Sequence, residues 1–472
     1  MQGVASIYQK SSRYLGIKDN ESMKIFNELL LKFEKPDWSA NSEFCVIDII
    51  LESRPDIILM LKSDIIGNER ASSFGRQDTP SVEQIVRAAI FKEMRGMDYR
   101  ELEYAQNDSR ICGTFIKLDG REPYSFQMFQ KYISRIKPES LHRVLVEINR
   151  IAISEGLEDV KSVSQDSTVV KTNIHYPTNN SLVWDCVKTS TRLLAQLKEE
   201  IDTLDFIDYT KSAKKTFYEI NITRGEAKRI PLFQKQLILF TKVINQTSNA
   251  IKKKSTSIIA SVIQEELAKL FELMKQIYDV TWRKEIDGEK VLNEDKIFSI
   301  YEQHTDIIVK GQREALFGHK INLVAGKSNL VLDCQVLRGN PSDKLLFKPT
   351  IDNVIQNYGA IPHNITTDGG YASLANLEYA QKAGIANIVF NKVVGSMQNI
   401  VSSFNMETRL RKWRSAMEAI ISNIKRGFNI FTCNWKGWIH FQAKVLWSIL
   451  AYNFRVITGL ILSRIKPAPK VC

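Results

Sequence analysis

Cysteine is scarce and scattered in this chain. Six residues in 472, Cys45, Cys112, Cys186, Cys334, Cys433 and Cys472, lie far apart without a CxxC pair. That excludes a disulfide framework and the usual structural zinc spacing, and it fits reduced thiols in a cytoplasm. Histidine is equally sparse: His175, His304 and His319 fall near expected strand ends, no two have the spacing of a helical metal site, and each reads as structural. No Ser-His-Asp or Cys-His signature is present. With only 22 glycines and 12 prolines the chain is neither collagenous nor low in complexity, and 44% hydrophobic with 25% charged residues is globular composition. A long uninterrupted apolar run is missing too. The most apolar stretch, Trp438 to Leu462, contains Lys444 and Arg455, which are costly in lipid, so a buried helix pair is expected there rather than a membrane span. Met1 to Lys18 lacks an apolar segment behind a basic start, so a soluble cytoplasmic protein without a membrane partner is expected.

What the chain has is positive charge in one place. The net charge is +12, yet the stretch from Asn391 to Cys472 holds 13 Lys and Arg against Glu407 and Glu418, a net of +11, so the other 390 residues are nearly neutral. Four of the seven tryptophans, Trp413, Trp435, Trp438 and Trp447, are there as well. That combination suits a surface that holds phosphates and stacks on bases or sugars; it is equally the composition of an aromatic core with a solvated basic rim.

The first 150 residues read as a helical bundle. Val82, Ile85, Val86, Ala89 and Ile90 form one stripe behind Pro80 and Ser81, with Gly96 near its end, and Tyr99–Gln106 and Ser125–Ile136 are two further helices. Arg87, Lys92, Arg95 and Arg100 on this bundle permit docking on DNA, as solvated helix faces also would. From Val160 the pattern becomes β-rich, with an acid inside Val163-Ser-Gln-Asp-Ser-Thr-Val-Val. Lys320–Ala325 and Asn329–Leu337 predict a hairpin around Gly326-Lys-Ser. A strand near Ile361–Thr367 leads into Asp368-Gly-Gly, followed by a helix over Ser373–Ala383 and a strand over Ile385–Phe390. The core is therefore α/β. Helical periodicity between Leu193 and Met274 predicts an insertion, a long antiparallel pair being one form it could take. The expected division is an N-terminal helical domain over 1–150, an α/β domain over 151–190 and 300–460, a helical insertion over 191–299 and a tail over 461–472.

The Gly326-Lys-Ser segment is not a phosphate-binding loop, because Ile321 stands where that motif needs glycine. The carboxylates say more. Asp166 lies in the middle of an apolar strand, where an unpaired charge is costly, and Asp368 sits at a strand end before a Gly-Gly turn. Glu418 is one of two acids in the basic segment. On a helix, Arg414, Glu418 and Lys425 fall within about 40° of one another, beside the apolar stripe of Met417, Ile420, Ile421, Ile424 and Phe428. Singly, each acid could serve a turn or a local ion pair. Together, two aspartates on strands and a glutamate on a later helix amid basic residues form the ligand set of a two-metal phosphodiester site, with Mg²⁺ or Mn²⁺.

At these residues the chain resembles the DDE transposases of bacterial insertion sequences. Gln165-Asp-Ser-Thr-Val-Val resembles the strand of the first aspartate, and Thr172-Asn-Ile-His-Tyr-Pro-Thr-Asn-Asn-Ser-Leu-Val-Trp-Asp is similar to the ISNCY-type branch. Phe317-Gly-His-Lys resembles the second strand, Gly339-Asn-Pro-Ser-Asp the loop beyond the hairpin, and Thr367-Asp-Gly-Gly-Tyr the second-aspartate motif. Arg414-x3-Glu418-x6-Lys425 matches the end of the signature Y-x2-R-x3-E-x6-K, with Arg411 at the tyrosine position. Tyr99-Arg-Glu-Leu-Glu resembles part of the family's helical amino-terminal domain. The resemblance implies a ribonuclease H-like mixed sheet flanked by helices, with an N-terminal helical domain and a helical insertion after the first catalytic strand, the helical domain over 1–150 being DNA-end-binding and the α/β domain catalytic. It implies that Asp166, Asp368 and Glu418 converge as metal ligands, and that Arg414 and Lys425, with Lys320 and Trp413, contact DNA. It also implies cleavage at terminal inverted repeats, transfer of 3′ ends to target DNA, and a homodimer or larger assembly. A ribonuclease H-like nuclease, or a transposase-derived DNA-binding protein without catalysis, are the alternatives.

Overall fold

A computed structural model of the chain describes residues 24–26, 29–30, 42–67, 79–309, 314–391 and 397–465. Cys472 and most of the expected tail lie outside them. The fold is mixed α/β, and the chain divides into two compact units, one of residues 1–171 with 319–472 and one of residues 172–318.

In the first unit, helices α1 (Ser42–Ser53), α2 (Asp56–Ile66), α3 (Val82–Arg95), α4 (Tyr99–Asp108), α5 (Arg110–Ile116), α6 (Phe126–Ile133) and α7 (Pro138–Ser154) precede the sheet. Local chemistry sets their ends. Ser81 accepts from the Gln84 amide at 3.1 Å while Gln84 returns a bond to the Ser81 amide, and Asp98 and Glu101 form the same reciprocal pair at the start of α4. Gly96 ends α3 at φ +67°, a conformation that costs glycine nothing.

The sheet is built from β1 (Ser162–Thr172), β2 (Asp306–Ile308), β3 (Leu316–Gly326), β4 (Val331–Leu337), β5 (Asn364–Thr367), β6 (Asn387–Phe390) and β7 (Thr432–Cys433). Its order is β2-β3-β1-β5-β6, with β4 on β3 and β7 on β1. Strands β1 and β5 run parallel, Gln165 facing Thr367 in the last register pair, and β5 pairs with β6 in the same sense. The expected hairpin is present, β3 and β4 being antiparallel. Alternation divides the strands between two cores. Val170, Ile321, Leu323 and Ala325 join the core that also holds helices α1–α7, whereas Val163, Val324 and Ile365 pack with α12 (Asp343–Tyr358) and α13 (Leu374–Lys382).

The apolar segment near the carboxy terminus is one continuous helix, Trp438–Ile465, and not the helix pair expected from its two internal charges. Both charges are answered inside the protein. Lys444 bonds Glu93, and Arg455 bonds Glu43 at 3.2 Å and the Met94 carbonyl at 2.8 Å. This helix is long and apolar enough to cross a membrane, but 72% of its apolar window is buried against protein. It packs on α1, α3, α7 and β4.

Two of the four basic residues that permitted DNA docking on the bundle are interior. Arg87 is fully buried, reaching Asp48 at 2.5 Å, Glu83 at 2.8 Å and the Phe115 carbonyl at 3.2 Å. Lys92 is buried against Glu93 at 2.8 Å and lies over the rings of Tyr99 and Trp435. A helical wheel sees charge and cannot see that acids close over it, Asp48 from the neighbouring helix α1 and Glu83 and Glu93 from α3 itself. Arg95 and Arg100 do stay on the surface.

The Gly326-Lys-Ser turn binds an anion of the protein's own. The Glu158 carboxylate accepts from the Ser328 amide at 2.9 Å and from its hydroxyl, and it sits so close over Gly326 that a Cβ there would force the carboxylate to shift.

The second unit is largely helical: α8 (Asn179–Glu200), α9 (Thr210–Ile222), α10 (Glu226–Ile251) and α11 (Ile258–Glu285) enclose a core of Leu193, Leu197, Leu237, Phe240, Leu267 and Met274. Among the described residues it contains four α-helices, where a long antiparallel pair was one form the periodicity allowed. His175 sits 3.3 Å from Asp185, and His304 bonds Glu302 at 2.9 Å.

Glu93 generates the first prediction. Burial alone would raise its carboxyl, and the ammonium groups of Lys444 and Lys92 overcome that and hold it below the usual carboxylate range. A lowered acid contributes stability that is complete above its unfolded value and is lost as pH falls through the folded one. Glu93→Gln leaves two buried lysines without a counter-charge and is expected to cost about 3–5 kcal/mol at neutral pH. Urea denaturation should show this loss, and the gap to the parent protein should narrow in acid.

Candidate active site

Strand alternation aims neighbouring residues of β1 at opposite layers. Gln165 and Ser167 face α12: the Gln165 amide donates to the Leu346 carbonyl at 3.3 Å and to Asn322 at 3.1 Å, and the Ser167 hydroxyl donates to Asp343 at 3.0 Å. Asp166, between them, faces the other way, toward α14 (Phe404–Gly427). Because β1 and β5 are parallel and Gln165 pairs with Thr367, Asp166 and Asp368 each follow the last paired residue and emerge side by side at one sheet end.

Helix α14 supplies the rest. Ser403 caps it by accepting from the Met406 amide, and Leu410, Met417, Ile420 and Ile424 are buried along one stripe, so α14 packs against β5 and β6. Arg414 borders that stripe and reaches all three expected acids. One terminal nitrogen lies 3.5 Å from an Asp166 oxygen and 3.6 Å from an Asp368 oxygen, and the other bonds Glu418 at 2.8 Å. The side chains of Arg414 and Asp166 are 14% and 15% exposed, those of Asp368 and Glu418 47% and 60%. The site thus has a sheltered floor and an open rim.

The three acids are gathered, yet they ring a guanidinium. Among the described residues no group of three or more His, Cys, Asp or Glu side chains is arranged to hold a metal ion as it stands. The donor chemistry nevertheless suits a hard divalent cation, being carboxylate oxygen throughout.

Of the expected DNA contacts, Trp413 is half-buried on α14 beside Arg414. Lys425 lies over the Phe431 ring at 5.9 Å and lines a small apolar recess with Thr168, Val170 and Ile421. Arg409, Lys412 and Arg426 are exposed on the same helix. Lys320 is interior: its ammonium bonds Asp343 at 2.6 Å and the Pro341 carbonyl at 2.8 Å. At the tyrosine position, Arg411 is held by Glu407 at 2.7 Å and reaches the Asn391 carbonyl at 3.3 Å.

Residues 309–454 match the family model of the transposase DDE domain. The match supports a DDE transposase. It spans Asp368, Arg414, Glu418 and Lys425 and begins after Asp166, which the geometry above brings beside Asp368. Comparisons with curated proteins and with solved structures give no match.

Sequence reasoning passed over Asp343. It bonds Ser167, the neighbour of Asp166 on β1, together with Lys320 on β3, and its carboxylate approaches Gly370 so closely that a Cβ there would lie 2.9 Å from it, so it ties β1 to β3 directly behind Asp166. The Gly339-Asn-Pro-Ser-Asp loop contained it, but a helix-start aspartate after serine looks like an ordinary first-turn acid. Tyr371 is buried behind the same group and donates to Asn322 at 3.0 Å; burial first, then the charges of Asp343, Asp166 and Asp368, push its phenol up. Removing Asp343 tests the brace. Asp343→Asn strands the buried Lys320 ammonium and is expected to lower stability by about 3 kcal/mol, read from the denaturant midpoint. The double variant with Lys320→Met should recover most of that loss.

Proposed function

We propose that this chain is the transposase of an insertion sequence of the ISNCY-type branch, cleaving phosphodiester bonds at the element's terminal inverted repeats and transferring the 3′ ends to target DNA. The observation that carries the reading is the convergence of Asp166, Asp368 and Glu418, from two strands and a helix, on one small volume at the sheet end. In this reading these carboxylates hold two Mg²⁺ or Mn²⁺ ions, which when bound would activate the attacking oxygen and steady the leaving one. The chain's own part is to hold and orient. Asp343 and Lys320 fix the strand end from behind, α14 brings Glu418 to the rim, and Arg414, Lys425, Trp413 and the exposed Arg409, Lys412 and Arg426 take the DNA backbone. Lys320 enters as a brace and not as a phosphate contact, given its burial. The reading places the protein in the cytoplasm, acting as a homodimer or larger assembly on paired DNA ends.

A second reading, a transposase-derived DNA-binding protein without catalysis, is favoured by the guanidinium among the acids. Asp368→Asn separates the two. If the site is catalytic, this variant should lose at least roughly a hundredfold of its Mg²⁺-dependent cleavage of end-containing duplex DNA while binding that DNA as before. A parent protein that binds the ends and never cuts them, with Mg²⁺ or Mn²⁺, would establish the second reading. Lys425→Ala should weaken binding evenly across sequences and reduce the slope of log affinity against log salt by about one.

A further inference from the structure

Arg414 is held in an unusual way. Its bond to Glu418 at 2.8 Å has the length of a full charge-assisted contact, but Asp166 and Asp368 share a single nitrogen at 3.5 and 3.6 Å, and its Nε is buried without a hydrogen bond. A guanidinium gains most from a bidentate fork on one anion; here it is spread over three and satisfies one. Among the described residues, Arg414 is in contact with all three carboxylates, and their combined formal charge exceeds its own; Asp166 also accepts from the Ser167 amide at 2.7 Å. Such a set keeps a net attraction for more positive charge while the present occupant is only loosely gripped.

We propose that Arg414 is an exchangeable counter-ion, filling the carboxylate cluster in the DNA-free protein and leaving it for a DNA phosphate, so that loading of divalent metal is coupled to DNA binding. This rests on the metal-site reading above. The physical logic is linkage. A phosphate offers the guanidinium the bidentate partner that the cluster denies it, and its departure frees oxygen ligands and removes a repelling charge from the metal's place. DNA must then tighten metal binding, and metal must tighten DNA binding by the same factor. The arrangement also explains how an acid set can be gathered without being metal-ready: the acids are spaced for a guanidinium while that guanidinium is among them.

The test is Mn²⁺ binding by the full-length protein, followed by electron paramagnetic resonance of the free ion, with and without a mixed-sequence DNA duplex. For the parent, DNA should tighten Mn²⁺ by roughly tenfold, within the usual range of coupling. Arg414→Gln should bind Mn²⁺ roughly tenfold tighter than the parent without DNA, and DNA should add little further. Unchanged Mn²⁺ affinity in Arg414→Gln, or a DNA effect of undiminished size in it, overturns the proposal. If Arg414→Gln does not fold, Arg414→Lys decides the matter. A lysine keeps the charge but has one nitrogen with which to span three acids, so it should give a partial gain in DNA-free Mn²⁺ affinity, and no gain overturns the idea. Asp368→Asn distinguishes the two levels of failure: if Mn²⁺ binding is the same with and without this substitution, the carboxylates are not the metal site, and the underlying reading is what falls.

Discussion

Three carboxylates cannot be packed at the end of a sheet unless positive charge sits among them, because like charges brought together in a sheltered place repel or take up protons. Among the described residues, the Arg414 guanidinium meets that requirement by reaching all three. Everything around it serves to make the meeting possible: parallel pairing of β1 with β5 sets two aspartates abreast, the apolar stripe of α14 fixes the rotation that brings Arg414 inward, and the Asp343 brace holds the strand end from the opposite layer. The site is a consequence of sheet register and helix phase, with no irregular loop needed to assemble it.

Its two layers are built on different principles. Behind the sheet end lies a buried polar network in which Gln165, Asn322, Tyr371 and Thr350 exchange hydrogen bonds and Lys320 neutralises Asp343. Such networks are rigid when satisfied and costly when broken. In front, Asp368 and Glu418 stand half in solvent, where a partner can be exchanged at small cost. A stiff back and an exchangeable front suit the proposed reading, in which a polyanion is taken at the rim without rebuilding the core.

Much of this was legible in the sequence, for identifiable reasons. Asp166 and Asp368 stood out because an acid inside an apolar strand, or at its end before Gly-Gly, conflicts with local preference. The three-, four- and seven-residue spacings around Met417 fixed the face of α14, and with it the position of Glu418. What stayed hidden depended on partners remote in the chain. The burial of Arg87 needs Asp48, that of Lys92 needs Glu93 and two aromatic rings, and the continuity of the last helix needs Glu93 and Glu43 to answer its internal charges. Asp343 was invisible for the same reason, since its role exists only once Ser167 and Lys320 meet it. At the Gly326-Lys-Ser turn the sequence shows the departure from a phosphate-loop motif at Ile321, but that the Ser328 donors are spent on Glu158 could be learned only from the fold.

The helix Trp438–Ile465 has one more implication. Its flank packs on α1, α3 and α7, and it also covers β4, where Asn453 takes both the Val331 amide and carbonyl. It is therefore a party wall, shared by the amino-terminal bundle and the sheet that carries the acids. A product ending before Trp438 would keep every candidate catalytic side chain and still leave two apolar surfaces facing water. In such a product neither the amino-terminal bundle nor the sheet could close its own core, so the two would lose their shape together.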